Sequence, residues 1–328
     1  MSEQSFAALS PDRVMNATES LGYHCDARNL ELNSFENRVY QIGLEDHDPV
    51  IGKFYRPNRW SDAQILEEHR FTMRLAAEDV SVVAPIEVNG TTLFHFEGYR
   101  FALYPRRGGR APNLDDLDNL EILGRHIGKL HAAGSSEPFQ YRPELTVQAY
   151  AIDTRSYLLA NDFIPDELMA AYSTTSEQLI ELLKRRFSEA EPYTRIPLHG
   201  DCHMGNVLWR DDVPHFVDFD DARSGPAIQD LWMMLSGERE EQTLQLDAII
   251  SGYETFADFD SREIALIEPL RTLRIMHHAA WLAKRWDDPA FPRAFPFFNS
   301  TRYWSDHILE LREQTAKLQE PPLQLYPT

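Results

Sequence analysis

Between residues 30 and 44 apolar and polar side chains trade places along the chain, with Tyr40, Ile42 and Leu44 separated by polar or small neighbours. A period of two marks a half-buried strand, so this stretch predicts two strands around the polar tip Asn33-Ser34-Phe35-Glu36-Asn37. Val50-Ile51-Gly52-Lys53-Phe54-Tyr55 predicts the next strand. Asn89-Gly90 predicts a tight turn between Ile86-Glu87-Val88 and Thr92-Leu93-Phe94, and Tyr99 to Tyr104 a further strand. Together these give about five antiparallel strands. The period then lengthens. Ser61-Asp62-Ala63-Gln64 is a capping-box signature opening a helix through Ile65 and Phe71. Leu120, Leu123, Ile127 and Leu130 recur in steps of three and four within a helix expected from Asn113 to Gly134. Arg155 to Arg186 supplies more helix, Ser224 to Trp232 a turn feeding an apolar helix, and Ile264 to Arg285 another helical stretch. Pro105-Arg106-Arg107-Gly108-Gly109 separates the strand-rich part from the helix-rich part. The expected fold is therefore α+β and bilobal. Residues 1–104 would form a small antiparallel-sheet lobe with one helix, and residues 105–328 a larger, mainly helical lobe that the prolines of 289–296 and 321–322 wrap.

Composition narrows the classes. A chain of 328 residues with 43% hydrophobic content is long enough for two packed lobes. It has no run of about 18 apolar residues that would span a membrane, and Met1 to Pro11 lacks the basic and apolar regions of a secretory leader. Two cysteines, Cys25 and Cys202, give no disulfide framework. The expected location is the cytoplasm and the expected state a monomer. A formal charge of −20 opposes binding to nucleic acid or anionic membrane and favours basic partners.

The densest chemistry lies in Leu198-His199-Gly200-Asp201-Cys202-His203-Met204-Gly205-Asn206-Val207-Leu208-Trp209, followed by Phe216-Val217-Asp218-Phe219-Asp220-Asp221. This is a polar loop, a short strand, a turn, and a strand ending in a carboxylate. Mg²⁺ wants hard oxygen ligands, and the amide oxygen of Asn206 with the carboxylate of Asp218 suits it when phosphates supply the rest. Asp201 would then orient an attacking hydroxyl. Lys53, inside an apolar run, is costly to bury unpaired and demands an anion, although an exposed strand face would also accommodate it. Cys202 between Asp201 and His203 invites a cysteine-nucleophile mechanism, but loop neighbours seldom point at each other and no elbow motif frames it. His199, Cys202, His203 and His215 match none of the common zinc spacings. His277-His278 sits in a helical pattern where packing is the commoner role.

The order Asp201, Asn206, Asp218 resembles the protein-kinase catalytic machinery, with His-Gly-Asp in place of His-Arg-Asp and Val-Asp-Phe-Asp in place of Asp-Phe-Gly. The variant is similar to the aminoglycoside phosphotransferase and choline kinase branch and, with its flanking segments, to the bacterial stress response kinase A family. The resemblance covers nearly the whole chain. It implies a bilobal kinase-like fold and ATP- and Mg²⁺-dependent transfer to serine or threonine of a protein, acting in stress response. Catalysis would fall to Asp201 and Asp218, and the metal to Asn206 and Asp218. Nucleotide binding would fall to Ser34, Lys53, Glu68, and the backbone near Leu103 and Tyr104 at the hinge. Glu68 is the expected partner of Lys53, with Glu67 about 100° away on the same helix. Asp230 would brace the catalytic loop. The Ser34 loop departs from the kinase pattern, since it lacks the glycines of G-x-G-x-x-G. Two other functions remain open: a small-molecule hydroxyl kinase of choline, homoserine or aminoglycoside type, and an inactive nucleotide-binding scaffold. The acidic run from Glu238 to Asp260, with Arg239 its single basic residue, favours a cationic acceptor of either size.

Overall fold

The period-two stretches near the start of the chain are strands of one sheet. β1 (Cys25–Leu32), β2 (Arg38–Leu44), β3 (Val50–Phe54), β4 (Phe94–Phe96) and β5 (Tyr99–Pro105) pair antiparallel in the order β1-β2-β3-β5-β4. These come from a computed structural model that describes residues 6–326. Met1–Ser5, the first half of the stretch without a leader pattern, and Pro327–Thr328 lie outside the described residues. The described residues form two compact units. The first falls within Met1–Pro143, Pro197–Arg223 and Ala248–Ala257; the second falls within Glu144–Ile196, Ser224–Asp247 and Asp258–Thr328.

In the first unit the register sets Tyr40 opposite Gly52 and Ile42 opposite Val50. Tyr40, Ile42, Phe54, Phe101 and Leu103 thereby share a core with Val14 and Ala17 of helix α1 (Pro11–Glu19). The apolar pattern alone does not reveal α1, yet Ser10 accepts the Arg13 N–H and Pro11 sits in the first turn, both ordinary start signals. Asn89 and Gly90 take left-handed φ of 51° and 79°, as the turn requires. They close a single bridge, Val88 to Thr91, and not a pair of strands. Pro85 has no N–H to extend a ladder, and the Ile86 N–H goes instead to the Leu103 carbonyl at 2.7 Å. The sheet hairpin turns at Glu97-Gly98 between β4 and β5, again with positive φ at both residues. Helix α2 (Asp62–Ala77) begins with the expected capping box, Ser61 and Gln64 each bonding the other's backbone. Helix α3 (Leu117–Gly134) starts later than Asn113, where the Asp116 carboxylate accepts the Asp118 N–H.

The second unit is helical: α4 (Asp153–Ala160), α5 (Asp166–Ala190), α7 (Ile267–Ala283), α8 (Ala290–Ala294) and α9 (Thr301–Lys317), with the start of α6 (Arg239–Tyr253). The helix expected over 155–186 is two helices, broken where Asp162 takes φ 51° and Pro165 precedes α5. Residues 227–234 are short 3-10 turns, not one apolar helix. Tyr172 of α5 packs edge-on to Trp304 of α9 at 6.0 Å. His277 lies 4.4 Å from Tyr150, and His278 stacks on Trp281, so both histidines pack against aromatic rings. Among the described residues no helix is long and apolar enough to cross a membrane.

Within the first unit α3 crosses the end of α6 at glycines. A Cβ on Gly124 would stand 1.9 Å from the Ile249 carbonyl oxygen, and one on Gly252 the same distance from that of Glu121. The obstacle is backbone, which cannot rotate away, so Gly124→Ala should cost about 1–3 kcal/mol in urea unfolding. Gly108→Ala, whose Cβ meets nothing within 4 Å, should stay within about 0.5 kcal/mol of wild type. Equal midpoints for all three proteins would contradict the close crossing.

Candidate active site

Strand β3 carries Lys53 opposite Val39 of β2 and Ala102 of β5. Its ammonium, with the side chain 8% exposed, stands 2.8 Å from Asp218 Oδ1 and 3.2 Å from Asp220 Oδ1. Burial alone would depress this lysine, but Asp218 and Asp220 outweigh it and hold the charge well above the usual lysine range. Asp220 is buried too, and Arg59, Lys53 and Arg142 hold its carboxyl well below the usual range against that burial.

β6 (Ile196–Leu198) leads into the loop 199–206, which the hairpin β7 (Val207–Arg210) and β8 (Val213–Phe216) follows. His199 is fully buried and organises the loop. Its Nε2 donates to the Val217 carbonyl at 2.9 Å, its Nδ1 accepts the Asp201 N–H at 3.3 Å, and its ring lies 4.4 Å from Phe219. Those bonds assign the proton to Nε2. Gly200 takes φ +85°, and a Cβ there would meet the Asp221 carbonyl oxygen at 2.2 Å, so no other residue fits. The Asn206 side-chain amide donates to the Asp201 carbonyl at 3.0 Å, and the Val217 N–H donates to the Asn206 carbonyl at 3.0 Å. Asn206 therefore lies beside the turn that carries Asp218. Asp218 adopts the left-handed conformation, φ 59° and ψ 66°, which aspartate tolerates better than most residues. Its carboxylate is half exposed. The Asp201 carboxylate has His203 Nε2 at 3.4 Å.

The helix glutamates divide their work. Glu67 accepts the backbone N–H groups of Gln140, Tyr141 and Arg142 at 2.6–2.8 Å. Glu68 is buried, and burial pushes its carboxyl up to about 7 despite Lys53 and Arg142 nearby. No ion pair joins Glu68 to Lys53 among the described residues; the lysine faces Asp218 and Asp220. Beside Glu68, His69 bonds Thr92 and Tyr55, each at 2.7 Å, and Tyr55 bonds the Tyr104 hydroxyl at 3.0 Å. Tyr104 thus spends its side chain on this network, and Leu103 is wholly buried. Ser34 lies half-buried in the loop between β1 and β2. Arg56 holds that loop by donating to the carbonyls of Phe35 and Glu36 at 2.9 and 2.8 Å.

Lys53, Asp201, Asn206, Asp218 and Glu68 are thus all in the first unit, with Lys53 and Asp218 in direct contact. Arg59, Arg142, Asp220 and His199 belong to the same constellation and were not among the expected site residues. Their signal was faint: three acidic residues within Asp218-Phe219-Asp220-Asp221 call for cations, but nothing in the sequence says which. Among the described residues no group of three or more His, Cys, Asp and Glu is placed to hold a metal. The oxygen donors on offer are one amide and one carboxylate, an open set that suits Mg²⁺ arriving with phosphates.

The sequence profile of the phosphotransferase enzyme family matches residues 30–267. Stress response kinase A of Escherichia coli strain K12 is 46% identical over 323 residues, covering 98% of each chain. The serine/threonine protein kinase RdoA of Salmonella typhimurium strain LT2 is 44% identical with the same coverage. Among solved structures, the amicoumacin kinase hAmiN in complex with AMP-PNP and Ca²⁺ superposes with a TM-score of 0.75 at 18% identity, covering 96% of both chains. A microcompartment-associated aminopropanol kinase gives 0.71 at 17%, covering 95% of this chain and all of that one. At such identity the likeness is one of fold, and it agrees with the α+β architecture.

Glu68 sets a pH dependence. A carboxyl whose proton is held up to about 7, against an ordinary 4.5, adds stability fully below the ordinary value and loses it as pH rises through the folded one. Glu68→Gln removes that titration. Relative to wild type, the variant should gain roughly 3 kcal/mol between about pH 4 and pH 8 in urea unfolding. Parallel pH profiles would contradict the burial argument.

Proposed function

The chain belongs to the phosphotransferase enzyme family and, within it, to the stress response kinase A family, and from that premise we propose that it transfers the γ-phosphoryl group of ATP, with Mg²⁺, to serine or threonine of a protein. The observation that carries this is the grouping of Asp201, Asn206 and Asp218 around one hairpin, with Lys53 on Asp218 at 2.8 Å. The Asn206 nitrogen donates to the Asp201 carbonyl, which leaves the amide oxygen as the atom that would, with the Asp218 carboxylate, hold a cation. Bound Mg²⁺ would supply neutralisation of phosphate charge. Lys53, kept charged, takes a phosphate oxygen. The Ser34 loop covers the phosphates, and the end of β5 at Leu103 and Tyr104 meets the base. Glu68, buried near Lys53, adds its field without a direct contact. Asp201 accepts the proton of the acceptor hydroxyl and aligns its oxygen for in-line attack. Phosphoryl transfer asks for little covalent chemistry, so positioning and electrostatics supply the rate. On this proposal the lobe boundary lies at residues 104 and 105, and the enzyme works in the cytoplasm as a monomer.

The fold neighbours support a second acceptor class, since the amicoumacin and aminopropanol kinases are small-molecule enzymes by name. The relative called a serine/threonine protein kinase, at 44% identity over 98% of the chain, weighs more. Labelled ATP with Mg²⁺ separates the two. Label should enter a basic general protein substrate, or the enzyme itself, on serine or threonine, and the rate should fall with salt. Label in an amino alcohol or aminoglycoside and in no protein would replace the protein acceptor by a small one. No transfer to any acceptor, with ATP still bound, would make the chain a nucleotide-binding scaffold.

Asp201→Asn should lower transfer about 10²–10⁴-fold while nucleotide binding persists; turnover within a factor of two of wild type would remove Asp201 from the chemistry. Asp218→Ala should weaken nucleotide binding by calorimetry far more with Mg²⁺ than without. Equal losses under both conditions would mean that Asp218 is not a metal ligand.

A further inference from the structure

The segment Arg56-Pro57-Asn58-Arg59 joins β3 to the cap of α2, and Asn58 takes φ 60° there, a left-handed step that re-aims the chain. The two arginines it sets apart reach the same loop by different means. Arg56 takes the loop's backbone carbonyls, its own N–H bonds Asn37 Oδ1 at 3.0 Å, and its guanidinium lies 3.2 Å from the Glu36 carboxylate. Arg59 reaches Glu36 Oε1 at 3.5 Å and passes beyond it to Asp221 Oδ1 at 2.8 Å and to the Asp220 carboxylate. Its side chain is 12% exposed, those of Glu36 and Asp220 15% and 5%. These are shielded pairs, unlike the exposed kind that contributes little. Its guanidinium also lies 5.1 Å from the Trp60 ring.

The charges form one chain. Glu36 meets Arg59, Arg59 meets Asp220, Asp220 meets Lys53, and Lys53 meets Asp218. One end is the loop after β1; the other is the carboxylate beside Asn206. A glycine-rich loop grips phosphates with its backbone, and Ser34-Phe35-Glu36-Asn37 has no glycine with which to do so. Its order must come from side chains.

We propose that Arg59 is a positioning residue that clamps the Ser34–Asn37 loop to the Asp220-Asp221 turn through Glu36, and so fixes the gap that receives the nucleotide phosphates. This rests on the kinase function argued above. A planar fork with five donors can serve several carboxylates at once, whereas an ammonium of the same charge is a single point. The clamp therefore distinguishes arginine from lysine.

The test uses the full-length chain in four forms: wild type, Glu36→Gln, Arg59→Lys and Arg59→Gln. Glu36→Gln removes the Glu36 pairs with both Arg56 and Arg59 but leaves Arg59 on Asp220 and Asp221, which guards against misfolding. The Arg59 variants keep Arg56 on Glu36 and so isolate the clamp. Backbone amide exchange at residues 33–37 in the nucleotide-free protein should quicken about 10-fold or more in each variant, as loss of a shielded ion pair implies. The KM for ATP should rise about 10-fold in Glu36→Gln and Arg59→Lys, with the KM for the acceptor within twofold. Either Glu36→Gln or a folded Arg59→Lys matching wild type in loop exchange and in nucleotide affinity would overturn the clamp while leaving the kinase function standing. Wild type failing to bind a non-hydrolysable ATP analogue would overturn both. A general loss of fold would speed exchange everywhere; the clamp predicts a change confined to the loop.

Discussion

A carboxylate taken out of water must be answered by cations, and in this molecule Asp220 is that carboxylate. Lys53 stands 3.2 Å away, Arg59 pairs with its other oxygen, and Arg142 donates to its backbone carbonyl. Each cation has a second task. Lys53 meets Asp218, Arg59 meets Asp221 and Glu36, and Arg142 holds the Ala222 carbonyl at 2.8 Å. Removing one partner from such a group leaves an uncompensated buried charge, which costs far more than an exposed pair is worth. The sheet, the segment leading into α2 and the turn after β8 therefore share one electrostatic condition, and the position of Asp218 follows from it.

Much of this was legible in the sequence where chemistry and spacing coincide. Lys53 stood out as a charge inside an apolar strand, and Asp201, Asn206 and Asp218 came in an order that few other functions require. The Ser61-Gln64 capping box announced α2 to the residue. Burial and long-range partners were not legible. Nothing local separates Arg59, which sits in a buried ionic chain, from Arg106, which lies on the surface. Glu67 and Glu68 are neighbours of identical type, and what divides them is a loop more than seventy positions away whose N–H groups take Glu67. The Asn89-Gly90 turn was read correctly and its strands were not, because a proline and a competing carbonyl decide where a ladder stops. Helix α9 drew no expectation, although Trp304, Ile308 and Leu311 recur at helical spacing behind the Ser300 cap and the signal was there to be read.

Family and fold speak to different levels of this protein. Identity of 46% over 98% of both chains fixes the family, while likeness at 17–18% to the amicoumacin and aminopropanol kinases fixes the arrangement of strands and helices alone. In this chain the loop 199–206 rests on the His199 bonds to either side of it and on the glycine that lets Asp221 approach. The fold neighbours are an amicoumacin kinase and an aminopropanol kinase by name, so a shared fold does not by itself choose the acceptor.

The three bonds that Glu67 makes have a mechanical side. They tie the middle of α2 to residues 140–142, and Arg142 carries the tie onward to the carbonyls that follow Asp218. Swinging this helix outward would break three charge-assisted hydrogen bonds together, on the order of 5 kcal/mol before any repacking. The helix and the turn move as one linkage or not at all. A ligand that required this helix to be displaced would have to break that linkage first.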